Sequence, residues 1–382
     1  MRKTITIGDL GTIITGKTPP TTNKNYYGDY AVFIKPTDIS EQSKYTYETE
    51  EMYSKLAAEK YESSLIPKGA ICVPCIGTIG TKMTMAPCDC YTNQSINSIV
   101  CNENYDNEYV YYLIKNFLPG LKAYNLGTAS GREYVSKSNF EKIELVAEQD
   151  KTIQKRIGVI LSRYDSLIEN YQKQIKLLEE AAQRLYKEWF VDLHFPGHEN
   201  TKIVDDVPEG WEKKPVDSIY SIKYGKNLST KLISESGEFP VYGANGVIGY
   251  YDKANCNEQV VLITSRGNGS GDVLMTYHKD AFITNNSFIV SPLEDYSYCQ
   301  LPFTYQFLKN ANFRAVRTGA AQPQLTNQSI HTVDVVLPSK DVIIDYCDKV
   351  SYNNKKIILL KNQIRLLTEA RDRLLPKLIS GK

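Results

Sequence analysis

The chain is poor in histidine, the side chain that most readily moves protons near neutral pH and a common metal ligand. Histidine occurs four times in 382 residues, and none stands in a Ser/His/Asp arrangement. No Asn-Pro-Pro or Asp-Pro-Pro stretch followed by an aromatic is present, which leaves no visible base-methylating site. Charge of one sign is also lacking: the formal net charge is +1, so no global field favours a polyanion or a membrane surface. No run approaches the ~18 apolar residues of a membrane span. The opening Met1-Arg-Lys-Thr-Ile-Thr-Ile-Gly-Asp9 has no apolar stretch long enough for a signal peptide. The eight cysteines are therefore expected as reduced thiols in a cytoplasm.

What the chain has instead is repetition. Ile175-Lys-Leu-Leu-Glu-Glu-Ala-Ala-Gln-Arg-Leu185 returns as Ile364-Arg-Leu-Leu-Thr-Glu-Ala-Arg-Asp-Arg-Leu374. Each copy lies late in a helical pattern that follows a β-rich segment, so roughly half the chain is duplicated. In the first helix Ile153, Ile157, Ile160, Tyr164, Leu167 and Tyr171 alternate steps of four and three. Ile175, Leu178, Ala182, Leu185 and Trp189 continue after a step of four where three is due, which reads as a stutter. The helix spans about 40 residues, hence roughly 60 Å, and Pro196-Gly197 ends the region. The second helix carries Ile357, Leu360, Ile364, Leu367, Leu374 and Leu378 on one stripe, with Pro376 expected to bend or fray its last turns.

The spacing predicts an α+β protein: a β-rich domain over residues 1–147, a long helix over 148–192, a linker over 193–207, a second β-rich domain over 208–337 and a second long helix over 338–382. Antiparallel pairing of the helices is the simpler topology. A parallel pair would need residues 193–207 to run back along the whole rod, and about 15 extended residues reach only about 50 Å. The core of the helix pair is expected at Ile160, Leu167, Ile175, Leu178, Leu185, Ile357, Leu360, Ile364, Leu367 and Leu374.

The β-rich halves correspond more loosely. Gly16-Lys17 matches Gly225-Lys226, Thr92-Asn-Gln-Ser95 matches Thr284-Asn-Asn-Ser287, and Ala129-Ser130 ahead of Val135 matches Gly319-Ala320 ahead of Leu325. This correspondence weighs against two tempting motifs. Gly11-Thr-Ile-Ile-Thr-Gly-Lys17-Thr18 fits the phosphate-loop pattern, which would make the chain a nucleotide-binding enzyme using Lys17. However, its interior is β-branched, Pro19-Pro20 follows, and the second half keeps only Gly225-Lys226. Cys72, Cys75, Cys88 and Cys90 have spacing for a four-thiolate zinc site, yet Leu262 and Ser265 replace Cys72 and Cys75 in the second half. No metal is expected.

What remains is a binding surface. Loops rich in Asn, Gln, Lys and Arg suit base edges and phosphates. The candidates for contact with double-stranded DNA are Lys17, Lys35, Thr78, Lys82, Asn93, Gln94 and Arg132 in the first half. In the second they are Lys226, Asn245, Arg266, Asn268, Asn285, Arg314, Arg317, Gln322 and Gln324. A coiled-coil scaffold with no DNA role is the alternative. The 28 tyrosines suit either a recognition surface or ordinary strands.

The repeated frame resembles the specificity subunit of type I restriction–modification enzymes. The resemblance covers essentially the whole chain. It rests on Val207-Pro-Glu-Gly-Trp211, Pro240-Val-Tyr-Gly-Ala-Asn-Gly-Val-Ile-Gly249, Thr318-Gly-Ala-Ala-Gln-Pro-Gln-Leu325 and Lys187-Glu-Trp-Phe-Val-Asp-Leu-His-Phe195. It implies a non-catalytic subunit with two target recognition domains, each reading half of a bipartite, asymmetric sequence. It also implies helices that set the spacing and dock two methyltransferase subunits, to which two restriction subunits can add. S-adenosylmethionine, ATP and Mg would then sit on the partners, with no cofactor bound by this chain.

Overall fold

The computed structural model describes residues 1–77, 79–127, 133–319 and 322–381. It forms two compact units: Met1–Gln172 with Gln363–Lys382, and Lys173–Asn362. Each unit is an α+β assembly.

In the first unit Arg2–Thr6 pairs antiparallel with Glu144–Glu148. A four-stranded antiparallel sheet follows in the order Gly11–Thr15, Ile96–Cys101, Ile71–Pro74, Thr84–Met85. A smaller sheet joins Tyr27–Gly28, Met52–Tyr53, Ala31–Ile34 and Tyr91–Thr92, the last two strands being parallel. Every residue of Ile71–Pro74 is buried. Such a short, continuous apolar run suits a strand covered on both faces. Against this sheet packs the helix Asn107–Phe117, started by the Asp106 carboxylate, which accepts from Tyr109 N at 3.1 Å.

The second unit repeats this wiring. Glu212–Pro215 pairs with Asp334–Leu337. The four-stranded sheet runs Tyr220–Tyr224, Ser287–Pro292, Val261–Thr264, Val273–Met275. The small sheet joins Gly246–Tyr251, Phe239–Gly243 and Phe282–Ile283, again ending in a parallel pair. Leu301–Asn310 takes the place of the packed helix.

Tyr53, Tyr109, Tyr111, Tyr112, Tyr220 and Tyr346 are fully buried. They are not only strand residues: Tyr53 and Tyr220 lie on strands, and Tyr109, Tyr111, Tyr112 and Tyr346 on helices. Several of these bury the ring and satisfy the hydroxyl: the Tyr109 oxygen accepts from Glu148 N at 2.8 Å, and Tyr346 donates to Ala182 O at 3.1 Å.

The first long helix is α-helical over Lys151–Tyr186 and then widens into a π-turn over Lys187–Val191. The α-helix thus ends well before Pro196, and Leu193 just beyond the π-turn has a left-handed φ of 61°. The second long helix is continuous over Lys340–Ser380 with Pro376 inside it. Its last turns hold together: Leu375 and Ile379 are buried, and Arg2 donates to Ser380 O at 2.5 Å and Leu378 O at 3.1 Å. These contacts offset the hydrogen bond that proline removes.

Within each unit the two long helices contribute antiparallel segments. In the first, Ile157 and Leu161 share a core with Leu375 and Ile379, and Asp165 meets Arg371. In the second, Glu179 meets Lys361 at 3.4 Å, while Tyr186 and Trp189 meet Tyr346 edge to face. Phe190 lies within 6.0 Å of Trp211, which packs on Phe195 at 5.0 Å, so both tryptophans belong to the second unit's core.

The buried stripe of the first helix corrects the expected one. It runs Gln154, Leu161, Ile168, Ile175, Ala182, Trp189, one residue every seven, all buried but the half-buried Ala182, so the stutter disappears. Ile160 and Leu167 are 39% and 38% exposed and lie outside it. Ile175, Ile357 and Leu360 are buried, whereas Leu178, Leu185, Ile364, Leu367 and Leu374 are half-buried at its margins. The misreading has a physical cause, because two polar residues occupy the core face. Gln154 is fully buried, donating to Glu148 O at 2.8 Å and accepting from Asp106 N at 2.9 Å. Asp165 is buried against Arg371.

Candidate nucleic-acid interface

In both units the strands of the main sheet end in loops tied together by the same backbone bonds. Gly16 and Gly225 mark the first such point. A Cβ on Gly16 would lie 2.1 Å from the Thr92 carbonyl oxygen, and one on Gly225 would lie 2.3 Å from that of Thr284. Only glycine permits this approach. It brings Lys17 N to Thr92 O at 2.9 Å and Lys226 N to Ile283 O at 2.9 Å. The repeated Gly-Lys pairs thus meet the Thr-Asn segments, but one residue out of the sequence match: Ile283 stands where the first unit has Thr92, and Ser287 where it has Ile96.

The second point is the loop after the buried strand. In the first unit Cys75 N donates to Ser95 O at 2.7 Å, Val135 N to Cys75 O at 2.8 Å and Gly77 N to Glu133 O at 2.9 Å. In the second, Ser265 N donates to Asn286 O at 2.8 Å, Leu325 N to Ser265 O at 2.8 Å and Gly267 N to Pro323 O at 2.9 Å. The bridge Ile76–Tyr134 corresponds to Arg266–Gln324. One backbone lattice therefore carries two different sets of side chains.

The second unit gathers its predicted residues well. Lys226, Asn245, Arg266, Asn268, Gln322 and Gln324 are exposed, and Asn285 is half-buried with its N donating to Lys226 O at 3.0 Å. Arg314 is held by Asp272 at 2.5 Å, and Arg317 donates to Arg314 O at 3.0 Å and Asn268 O at 3.5 Å. Asn245 Oδ1 lies 3.2 Å from where a Gly269 Cβ would stand. The result is a rim of amides and guanidinium groups able to donate to and accept from base edges or phosphates.

The first unit gathers fewer. Lys17 is exposed with Nζ 3.2 Å from Ser63 Oγ, and Thr18 hydrogen-bonds Gln94 beside Asn93. Asn93 Oδ1 accepts from Ser95 N at 3.1 Å, which fixes the turn. Lys35 differs from its expectation. It pairs with Glu50 at 2.7 Å and Glu51 at 3.2 Å. Burial lowers its pKa, but the two carboxylates outweigh that and raise it. Its charge is thus matched internally. Lys82 is half-buried ahead of Thr84–Met85, and Thr78 and Arg132 lie outside the described residues. Sequence reasoning missed Ile76, Tyr134, Thr18 and Ser63. The match of Val135 with Leu325 already made Tyr134 the equivalent of Gln324.

The competing motifs take other roles. Gly11–Thr15 is a strand paired residue for residue with Asn97–Cys101, and irregular chain rather than a helix follows Lys17-Thr18. Burial pushes the Cys72 and Cys75 thiols up to about 12, keeping them protonated core groups. Among the described residues no group of three or more His, Cys, Asp or Glu is arranged to hold a metal ion. No helix among them is long and apolar enough to cross a membrane.

Comparison with known proteins gives a consistent result. The family model described as type I restriction modification DNA specificity domain matches twice, over residues 2–180 and 208–366. The MjaIX specificity subunit of Methanocaldococcus jannaschii is 26% identical over 404 residues, covering 98% of this chain and 92% of that protein. The HindI specificity subunit of Haemophilus influenzae is 34% identical over 177 residues, covering 45% of this chain and 38% of that protein. The crystal structure of a type I restriction–modification S subunit from M. genitalium shares the fold, with a TM-score of 0.59 at 20% identity over 99% of this chain and 96% of that one. The doubled strand order, the doubled loop lattice and the doubled family match converge: this chain belongs to the type I restriction–modification DNA specificity family.

Proposed function

We propose that the chain is the non-catalytic, sequence-reading subunit of a cytoplasmic type I complex, and that each loop lattice reads one half of a bipartite DNA target. The observation that carries this reading is the pairing of one repeated backbone lattice with two unlike side-chain sets. Arg266 and Gln324 stand where the first unit has Ile76 and Tyr134. An arginine suits guanine O6 and N7, a glutamine suits the adenine edge, and an apolar side chain suits the thymine methyl. Two such surfaces read unlike half-sites, so the target is asymmetric. The long helices set the gap and dock two methyltransferase subunits that bring S-adenosylmethionine. Two restriction subunits using ATP and Mg can join that core.

The test is methylome sequencing of cells carrying the partner methyltransferase with this chain, Arg266→Ala or Gln324→Ala. A lost bidentate base contact removes about 1–3 kcal/mol of discrimination, roughly a 5- to 150-fold relaxation at one position. The expected result is relaxation within one half-site, with the other half and the gap unchanged. An unaltered motif, or simultaneous loss of both halves, would overturn the division of labour.

A further inference from the structure

The long helices share an ion pair in each unit: Glu179–Lys361 in the second is partly exposed, whereas the one in the first is buried. Asp165 of the first long helix and Arg371 of the second pair directly, with both side chains 7% exposed. Tyr112, from the helix packed on the first unit's sheet, donates its hydroxyl to the other Asp165 oxygen. Arg371 Nε also donates to Asp372 at 2.8 Å. Aligning Ile175–Leu185 with Ile364–Leu374 puts Ala182 at the position of Arg371 and Asn354 at that of Asp165.

Two helices built on one pattern have a choice of partner. The first can pair with the second of its own chain or with the first of another copy, because the apolar residues are alike in both. The charges are not. Within one chain the antiparallel pair brings Asp165 to Arg371, and the related crossing, Asn354 to Ala182, is uncharged. Two first helices would set Asp165 against Ala182 at both crossings. Two second helices would set Arg371 against Asn354 at both. Each homotypic pair therefore buries two charges without a counter-charge from the other helix, a costly arrangement. Single polar contacts of this kind select partner and register in helix pairs.

We infer that the Asp165–Arg371 pair makes each long helix select the unlike helix and reject its own kind in a second copy. The full-length chain tests this. A tagged Asp165→Arg chain is co-expressed with an untagged Arg371→Asp chain. Each variant alone sets like charges together, but exchanging helices between the two copies restores an opposite-charge pair at both crossings. The expected result is at least ten-fold more untagged chain retained with the tagged one than for two wild-type copies. Retention no greater than wild type, whether or not the variants fold, would overturn the inference. The doubly reversed chain, Asp165→Arg with Arg371→Asp, should recover single-chain mass by light scattering and melt well above either single variant. If it melts no higher, charge sign does not govern the pairing and the inference fails.

Discussion

At the scale of single residues, function depends on which polar groups are already satisfied within the chain. Lys35 and Lys226 look alike in sequence, each a lysine in a loop beside a short strand. In space Lys35 is neutralised by Glu50 and Glu51, whereas Lys226 is exposed next to Asn285. Lys226→Ala should weaken DNA binding across sequences and lower the slope of log affinity against log salt by about one. Lys35→Ala should leave that slope unchanged. Titrating labelled target DNA at several salt concentrations distinguishes them, and equal slopes for both variants would contradict the assignment. The difference was not legible beforehand, because Glu50 and Glu51 reach Lys35 only once the small sheet has folded. The Gly-Lys repeats were legible, but their reason was not: Gly16 and Gly225 are fixed by carbonyl groups far along the chain.

At the scale of elements, the long helices were evident and their faces were not. Apolar periodicity located both, yet it favoured Ile160 and Leu167 because Gln154 and Asp165 break the apolar signal on the true core face. A buried carboxylate reads as a surface residue until its arginine, more than two hundred positions away, is known. The corrected stripe repeats every seven residues, and this sets the design of a spacer experiment. Duplicating seven residues in each helix, after Glu179 and after Thr368, keeps the stripe nearly in phase and adds about 10 Å of helix. The unspecified gap of the DNA target should then lengthen by about three base pairs, given 3.4 Å per step along a strand. Sequencing the methylome of cells carrying this variant reads the gap directly, and an unchanged gap would remove the helices from the role of spacer.

At the scale of the whole molecule, doubling was visible in the helices and only hinted at in the sheets. The strand order of the main sheet is the same in both units, but strands such as Gly11–Thr15 and Ile96–Cys101 pair across long stretches of chain, which local patterns do not report. The side chains on the shared lattice have diverged, so residue matching fails where backbone matching succeeds. It follows that each unit should be replaceable. Substituting residues 208–337 with the corresponding segment of a relative should change one half of the methylated motif and leave the other intact. A chimera that folds but alters both halves would show that the two surfaces are read jointly.

The placement of Trp189 and Trp211 has a practical consequence. They are the only indole groups in the sequence, and both lie in the core of the second unit. Tryptophan emission is therefore blind to the first unit, whose aromatic core holds tyrosine and phenylalanine. Following denaturation by indole emission beside circular dichroism compares one unit with the entire chain, and coincidence or separation of the two curves measures how far the units unfold together.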